Sequence, residues 1–187
     1  MKVQPTALPE VLLIEPRLFG DERGHFLETY HAQRYCDSCI SATFVQDNLS
    51  YSHRGVLRGL HYQWGHPQGK LIMVVQGEIF DVAVDIRQGS PSFGRWVGVT
   101  LSARDYQQLY IPEGFAHGFC VTGDSATVCY KCTDIYVPEA DRGIRWDDPT
   151  LAISWPITEA VLSDKDRSLP PLTDVPAEHL PVFGTRP

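Results

Sequence analysis

The sequence lacks long apolar runs and has no excess of positive charge. No stretch approaches the roughly 18 consecutive apolar residues of a membrane-spanning helix. The net charge is −7 at pH 7, with 16 Lys and Arg against 23 Asp and Glu, which argues against a general binder of nucleic acid or anionic membranes. Residues 1–6 carry neither the apolar stretch nor the cleavage site of a signal peptide. We therefore expect a cytoplasmic protein with no nucleic-acid partner and no membrane partner.

Cysteine is also scarce. Five cysteines are an odd number for a disulfide framework and too few for a disulfide scaffold at this length, so we expect reduced thiols. The pairs Cys36/Cys39 and Cys129/Cys132 imitate a zinc pattern, but they lie far apart in the chain. On a regular strand Cys129 and Cys132 would also point to opposite faces. The sequence thus disfavours a zinc site, and it lacks the glycine-rich loop motifs that bind nucleotide phosphates.

Short β-rich runs, punctuated by Gly and Pro, recur from about residue 10 to residue 155. Residues 70–75 and 79–86 form the clearest pair, and Gln76-Gly77-Glu78 between them predicts a hairpin. A spacing of about 8–12 residues between such runs is typical of an antiparallel sandwich or barrel. Further strands are predicted around Val11 and Leu13, around Phe26 and Thr29, and at residues 95–101, 107–111, 118–122 and 126–133.

The pattern changes after Trp155, where the sequence becomes Pro-rich with short helical possibilities. We interpret residues 156–187 as a short appended segment, helical or irregular, of a single all-β domain that spans residues 1–187. A hydrophobic content of 43% is sufficient for a sizeable core in such a domain.

Two cations and one imidazole lie close together in the chain, at Arg58, His61 and Lys70. A buried strand has no packing need for such a set. An anion-binding site with a general base does need it, because guanidinium binds phosphate through two hydrogen bonds and histidine titrates near neutral pH. A solvated strand face with one structural histidine explains the same residues, so both interpretations stay open. Since Arg58 and His61 cannot share a face of a regular strand, we expect a twist or bulge near Gly59.

His117 and Tyr130 are further candidates for the site. His117 follows the turn signal Pro112-Glu113-Gly114 at the start of an apolar strand, where a lone histidine is more often a hydrogen-bonded core residue than a ligand. Strand alternation places Val128, Tyr130 and Cys132 on one face. Tyr130 is on this basis either a core residue or, if it faces a cavity, a proton donor.

Several ordered motifs carry a family likeness. PEGFAH (112–117) resembles the second motif of cupins, which are small antiparallel β-barrels, whereas the two metal-binding histidines of the first cupin motif are reduced here to His61. From about residue 5 to 175 the chain resembles the metal-free nucleotide-sugar epimerases of the dTDP-4-dehydrorhamnose 3,5-epimerase family. The motifs that carry this resemblance are QDNLS (46–50), GVLRGLHYQ (55–63), QGKL (68–71), DVAVDIR (81–87), SPSFG (90–94), YIPEGFAHGF (110–119), YKCTDIY (130–136) and LSDKD (162–166).

The resemblance implies a cupin jelly-roll fold and an isomerase that needs no metal and no cofactor. Such an enzyme inverts C3 and C5 of dTDP-4-dehydro-6-deoxy-D-glucose through enolates of the C4 ketone and yields dTDP-4-dehydro-L-rhamnose. The resemblance implies His61 as the proton acceptor, Tyr130 as the proton donor on the opposite face, and Lys70 as the group that stabilises the enolate. Asp166 would hydrogen-bond the far nitrogen of His61 and raise its basicity.

The resemblance further implies a homodimer in which N-terminal residues complete the partner's site. In such a dimer Arg23, Phe26 and Glu28 would reach the nucleotide bound by the other subunit. Tyr136 would stack on thymine, and Asp141 stands where the family usually has Glu. The contacts implied within the subunit come from Gln46, Asp47, Asn48, Arg58, Lys70, His117, Tyr136, Asp141 and Lys165.

Three other functions stay open on the sequence. A mono-epimerase that acts at C3 or C5 alone, in a pathway to an antibiotic deoxysugar, would use the same acid and base. A non-catalytic cupin that only binds a nucleotide sugar has no need for a base, an acid and an oxyanion partner together. A metal-dependent cupin oxygenase would need strong ligands near His61, where Tyr62 and Gln63 offer none.

Overall fold

The computed structural model describes residues 1–184, and β-strands provide most of the regular structure in that range. All strand pairs are antiparallel, which confirms the predicted all-β class. No helix among these residues is long and apolar enough to span a membrane. The elements are β1 (Lys2–Pro5), β2 (Leu12–Glu15), β3 (Leu18–Asp21), β4 (Gly24–Leu27), α1 (Ala32–Asp37), β5 (Gln46–His53), β6 (Leu57–Gln63), β7 (Lys70–Asp85), β8 (Trp96–Ser102), β9 (Gln108–Ile111), β10 (Phe115–Cys132), β11 (Asp141–Gly143) and α2 (Asp164–Arg167), with 3-10 turns at Pro138–Ala140, Leu172–Asp174 and Ala177–His179.

The two longest strands, β7 and β10, run through both layers of the molecule and pair with each other along most of their length. β7 pairs with β9 through residues 70–73 and with β8 through residues 78–84. β10 pairs with β6 through residues 117–120 and with β5 through residues 125–132. The two layers are therefore β1-β2-β9-β7-β10-β5 and β8-β7-β10-β6-β11, and they share their central strands. This is an antiparallel jelly roll, as predicted.

The predicted hairpin between residues 70–75 and 79–86 is wrong, because both runs belong to the continuous strand β7. Gly77, with φ +78°, lies at a register irregularity and not at a chain reversal. A Cβ added to Gly77 would lie 1.8 Å from the carbonyl oxygen of Ser125, so glycine here permits the close approach of β10. A glycine between two apolar runs thus marks a bulge, which looks the same as a turn in the sequence.

The runs at residues 118–122 and 126–133, predicted as separate strands, likewise form one strand, β10. The register of β10 on β7 shifts near the middle of the strand, where the chain passes from one layer to the other. The other predicted strands are found as β2, β4, β8 and β9, although Thr29 lies outside β4.

Alternate residues of the long strands build the core between the layers. Ile79 and Ala83 of β7 are fully buried there against Phe119 and Val121 of β10. Asp81 has the same alternation as Ile79 and Ala83, and it too is fully buried. The inner face of β7 therefore carries a carboxylate into the interior of the roll.

The segment that follows Trp155 packs against the outer face of the second layer. Leu172 and Leu180 join Val82 and Val84 of β7 in one buried cluster. Residues 185–187 of the predicted appended segment lie outside the described residues.

Helix α2 belongs to this segment and lies beside β6. The helix begins after Ser163, whose hydroxyl accepts a hydrogen bond from the backbone N–H of Asp166 at 3.1 Å. Val161, just before it, exchanges backbone hydrogen bonds with Gly55 and Leu57. These contacts hold Lys165 and Asp166 beside the inner face of β6.

Candidate active site

Two adjoining cavities, each of about 320 Å³, lie between β5, β6, β7, β10 and α2. Both are lined by His61, Lys70, Tyr130 and Lys165. We call the one that reaches buried His117 the inner cavity, and the one that reaches exposed Tyr136 the outer cavity. The inner cavity is also lined by Arg58 and Asp166, and the outer one by Gln46, Asn48 and Asp141.

A bulge in β6 brings Arg58 and His61 to the same cavity. Between these residues the register of β6 on β10 shifts by one residue, which confirms the predicted irregularity. Gly59 has a φ of +123°, and an added Cβ would lie 2.5 Å from the Cα of Gly118. Only glycine fits such a position, because the left-handed backbone and the close strand both exclude a side chain.

His61 forms a dyad with Asp166, as the resemblance implies. Its Nε2 lies 2.5 Å from Oδ1 of Asp166, which is only 4% exposed. An ionised carboxylate only accepts hydrogen bonds, so Nε2 donates to Asp166 and Nδ1 is the ring nitrogen that is not engaged by this carboxylate. Burial raises the pKa of Asp166, but the hydrogen bond and charge of His61, aided by Ser163, outweigh it and hold the pKa below its ordinary value. The dyad is therefore arranged for His61 to act as a base through Nδ1.

Lys70 lies between the two cavities and lines both of them. Among the described residues no hydrogen bond or ion pair engages its Nζ within 4.0 Å. Burial lowers the pKa of Lys70, while the charges of Cys132 and Asp81 oppose that shift. An unpaired, partly desolvated cation of this kind interacts strongly with negative charge that develops beside it.

Tyr130 completes the set of four implied catalytic residues. It lies on β10 opposite Asn48 of β5 and lines both cavities. Burial raises the pKa of Tyr130, so its phenol is protonated at neutral pH. A neutral phenol beside a histidine base is suited to give a proton.

A second histidine–carboxylate pair lies on the floor of the inner cavity. His117 lies directly across from His61 on the paired strands, and its Nε2 is 2.6 Å from Oδ1 of Asp81. Burial lowers the pKa of His117, although the charge and hydrogen bond of Asp81 act in the other direction. Oδ2 of Asp81 is buried without a hydrogen-bond partner among the described residues. His117 is thus a hydrogen-bonded core histidine that also lines the inner cavity.

The outer cavity carries a connected polar network. The phenol of Tyr136 donates a hydrogen bond to Oδ2 of Asp141 at 3.0 Å, and Lys165 donates to the same oxygen. That hydrogen bond, together with burial, raises the pKa of Tyr136. On the opposite wall Nε2 of Gln46 donates to Oδ1 of Asn48 at 2.9 Å. The outer cavity is therefore lined by a cation, an aromatic ring and two side-chain amides.

Asp47 does not join these residues. Because side chains alternate along β5, it lies on the other face, where its carboxylate pairs with Lys131 at 2.9 Å. It lines a separate cavity of about 370 Å³ together with Met73 and Leu49. The predicted contact of Asp47 with the substrate stays a prediction.

Arg23, Phe26 and Glu28 also lie away from both cavities. Phe26 lies on β4 and Arg23 in the turn before it, and within residues 1–184 the strands β3 and β4 pair only with each other. Phe26 is 69% exposed, Arg23 pairs with Asp21, and Glu28 pairs with Arg34. A role in the partner's site stays a prediction for all three.

Sequence reasoning missed Asp81, Gln63, Gln68 and Cys132 as residues of the site. Asp81 had a signal, because it interrupts the apolar inward register of Ile79 and Ala83. Gln63, Gln68 and Cys132 had no signal that a single sequence carries. Within residues 1–184 no three His, Cys, Asp or Glu side chains are grouped so as to hold a metal ion.

A jelly roll with a histidine–aspartate dyad, a tyrosine and an unpaired lysine around one pocket has the construction of the cupin-type epimerases. Comparison with known proteins agrees. The family model of dTDP-4-dehydrorhamnose 3,5-epimerase matches residues 5–174, and the chain belongs to this family.

Individual relatives are similar over most of the chain. An epimerase of this name from Neisseria gonorrhoeae is 56% identical over 167 residues, which cover 89% of this chain and 51% of that protein, so the chain spans about half of its length. The one from Pseudomonas aeruginosa is 54% identical over 169 residues, with 89% and 93% covered. The crystal structure of a 3,5-epimerase from Legionella pneumophila, in complex with dTDP-4-keto-L-rhamnose, aligns with a TM-score of 0.96 at 50% identity, with 98% and 99% of the chains covered.

Proposed function

We propose that the protein converts dTDP-4-dehydro-6-deoxy-D-glucose into dTDP-4-dehydro-L-rhamnose by inversion at C3 and C5. The observation that carries this proposal is the 2.5 Å dyad of His61 and Asp166 in a cavity that also holds Tyr130 and Lys70. Membership of the family and the ligand in the Legionella relative support the class of substrate.

Each inversion is a proton transfer in two steps. Nδ1 of His61 removes the proton next to the C4 ketone, and the electron pair of the C–H bond moves into the enolate. Lys70 stabilises the charge on the C4 oxygen. Tyr130 then donates its phenolic proton to the carbon from the other face, which leaves an imidazolium and a phenolate. Proton exchange with water restores both groups, so the cycle needs no net acid or base.

The nucleotide would occupy the outer cavity and the sugar the inner one. Arg58 lines the inner cavity and Lys165 lines both, and these two cations suit the diphosphate. The Nε of Arg58 donates to the Ser52 hydroxyl at 3.1 Å, which orients the guanidinium. The exposed ring of Tyr136 offers a flat surface for the base.

Proton NMR of the product formed from dTDP-4-dehydro-6-deoxy-D-glucose in D2O tests the proposal. Deuterium and inversion at both C3 and C5 are expected. Deuterium and inversion at one carbon alone would identify a mono-epimerase. Tight binding of dTDP without any exchange would leave a non-catalytic binding protein.

The roles of base and acid are separated by two variants assayed in D2O. His61→Asn should abolish both inversion and deuterium uptake, because no enolate forms. Tyr130→Phe keeps the ring but loses the phenolic proton, so it should retain measurable deuterium uptake while it largely loses the inverted product. Inversion at both centres by Tyr130→Phe at close to the wild-type rate would show that the acid is wrongly assigned. Exchange by His61→Asn would do the same for the base.

We further propose a homodimer in which the β3–β4 hairpin reaches the site of a second copy. Leu18, Phe19 and Phe26 are 50%, 47% and 69% exposed, and a two-stranded hairpin is marginally stable alone. A partner surface would bury these side chains and protect the hairpin. Sedimentation measures the oligomeric state of the wild type and of Phe26→Asp. Full activity of a wild-type monomer at low concentration would refute the shared site.

A cytoplasmic location and a single functional unit over residues 1–187 are part of the same proposal. All five cysteines are free thiols, which suits a reducing compartment. The appended segment supplies Asp166 and Lys165 to the cavities, so it belongs to the unit that carries the activity.

A further inference from the structure

A segment without strand or helix forms one side of the outer cavity. Residues 133–137 connect the end of β10 to the turn at Pro138–Ala140, so their backbone groups have no ladder partners. Buried or half-buried backbone groups need other partners, because an unpaired N–H or C=O is costly. Within residues 134–137, four backbone groups find their partners in the side-chain amides of three glutamines.

The three glutamines come from β5, from the end of β6 and from the loop that follows β6, and they serve four consecutive residues. Nε2 of Gln68 donates to the carbonyl of Asp134 at 2.8 Å, and Nε2 of Gln63 donates to the carbonyl of Ile135 at 3.0 Å. Oε1 of Gln46 accepts from the N–H of Tyr136 at 2.8 Å. Oε1 of Gln63 accepts from the N–H of the next residue, 137, at 2.7 Å.

Gln63 is the centre of this clamp. It is the last residue of β6 and is 7% exposed. In addition to its two bonds to the segment, its Nε2 donates to the carbonyl of His66 at 2.7 Å, so both ends of its amide are occupied by backbone groups. Its polar atoms therefore hold the two loops that border the outer cavity.

The ring of Tyr136 depends on this clamp for its position. It is 51% exposed and makes no aromatic ring contact with any described residue. Its hydrogen bond to Asp141 fixes only the phenolic end. The Cα end is fixed by the backbone, which the amides of Gln46 and Gln63 hold on both sides of Tyr136.

We propose that Gln63 is a positioning residue for nucleotide recognition, which acts by holding residues 134–137 so that the Tyr136 ring faces the base of the bound nucleotide. The inference rests on the proposed function for the identity of the ligand. It predicts that loss of the Gln63 amide weakens the binding of dTDP and leaves the proton-transfer groups unchanged.

The first test compares Gln63→Leu with Gln88→Leu by calorimetric titration with dTDP. Gln88 is a matched control, because its Nε2 donates to two backbone carbonyls, of Ala177 and Leu180, in the C-terminal segment. Gln63→Leu should raise the Kd for dTDP and the KM roughly tenfold, with kcat changed by less than about twofold. Gln88→Leu should leave Kd, KM and kcat at their wild-type values.

The second test asks whether Gln63 acts through Tyr136. In a double-mutant cycle, Gln63→Leu should have little further effect on the Kd in a Tyr136→Ala background. A full additional effect there, or an unchanged Kd in Gln63→Leu alone, would overturn the proposal. Should Gln63→Leu fail to fold, Gln68→Leu, which removes only the bond to Asp134, enters the same cycle and should show a smaller shift.

These measurements separate the clamp from the proposed reaction. If the wild type binds dTDP but does not epimerise the sugar, the reaction is wrong and the Kd values still decide on the clamp. If the wild type does not bind dTDP at all, both proposals are overturned.

Discussion

Replacing Lys70 by methionine should raise the stability of the fold and lower the rate of the reaction at the same time. No hydrogen bond or ion pair engages the Lys70 ammonium among the described residues, and burial lowers its pKa. The folded protein therefore bears a cost for keeping this charge partly out of water. Methionine has a similar length and no charge, so it fills the same space without that cost.

The magnitudes of the gain in stability and of the loss in rate follow from the surroundings of Lys70. The removal of an unpaired, partly desolvated polar group should raise the free energy of unfolding by about 1–3 kcal/mol. The loss of a group that stabilises an oxyanion raises the reaction barrier by about 2.7–4 kcal/mol, which lowers kcat by roughly 10²–10³. The binding of dTDP should change far less, because no enolate develops in that complex.

The gain in stability should depend on pH in a defined direction. The pKa of Lys70 in the folded chain lies below its ordinary value of 10.5, so between these two values the unfolded chain binds more protons. Wild-type stability contributed by this group therefore rises with pH in that window. The advantage of Lys70→Met should be largest below the folded-state pKa of Lys70 and should shrink as the pH rises towards 10.5.

Chemical unfolding at pH 7 and at pH 10, together with kcat and the Kd for dTDP, measures all three quantities. A variant that is less stable than the wild type at pH 7 would show that Lys70 has a stabilising partner. Equal losses in dTDP binding and in turnover would make Lys70 a phosphate ligand and not the partner of the enolate.

Two further variants probe the geometry of the site. Asp166→Asn should lower kcat by roughly 10³–10⁴ with little change in the Kd for dTDP, because the wrong tautomer of His61 is then favoured; Asp164→Asn on the same helix is the control, and an equal loss in that control would remove the special role of the dyad. Gly59→Ala should lower the free energy of unfolding by about 1–3 kcal/mol or more and reduce activity, since its Cβ would lie 2.5 Å from the backbone of β10. Gly89→Ala, also at positive φ but with no atom within 4 Å of the added Cβ, should retain full activity, and equal activity of the two alanine variants would contradict the proposed importance of the bulge.

Part of the site could be predicted because its residues violate the pattern of the strands that carry them, whereas Asp166, Lys165 and the residues of the outer cavity were implied by the family resemblance alone. Arg58 and His61 demand a bulge whatever the fold, since both are polar and a regular strand would separate them. Asp81 breaks an apolar register in the same way, because it alternates with Ile79 and Ala83.

The extent of the strands could not be predicted from the sequence. Gly77 between two apolar runs is compatible with a turn or with a bulge, and only the approach of Ser125 from β10 decides for the bulge. The contacts of Gln63 could not be predicted either, because the sequence around a neutral amide does not indicate which backbone groups it will bind. Both features depend on pairing between parts of the chain that are distant in sequence.

The pocket has two kinds of border, one on the continuous strands β7 and β10 and one on the irregular segment at residues 133–137. Lys70, Asp81, His117 and Tyr130 stand on strands that are paired on both edges, so the amides beneath them should exchange hydrogen with water only when the whole fold opens. Residues 133–137 lie outside the strand ladders, and side-chain hydrogen bonds hold much of their backbone, so their amides should exchange when fewer bonds are broken. Protection from hydrogen exchange should therefore differ between the strands that carry Lys70 and Tyr130 and the segment that carries Tyr136 at the border of the outer cavity.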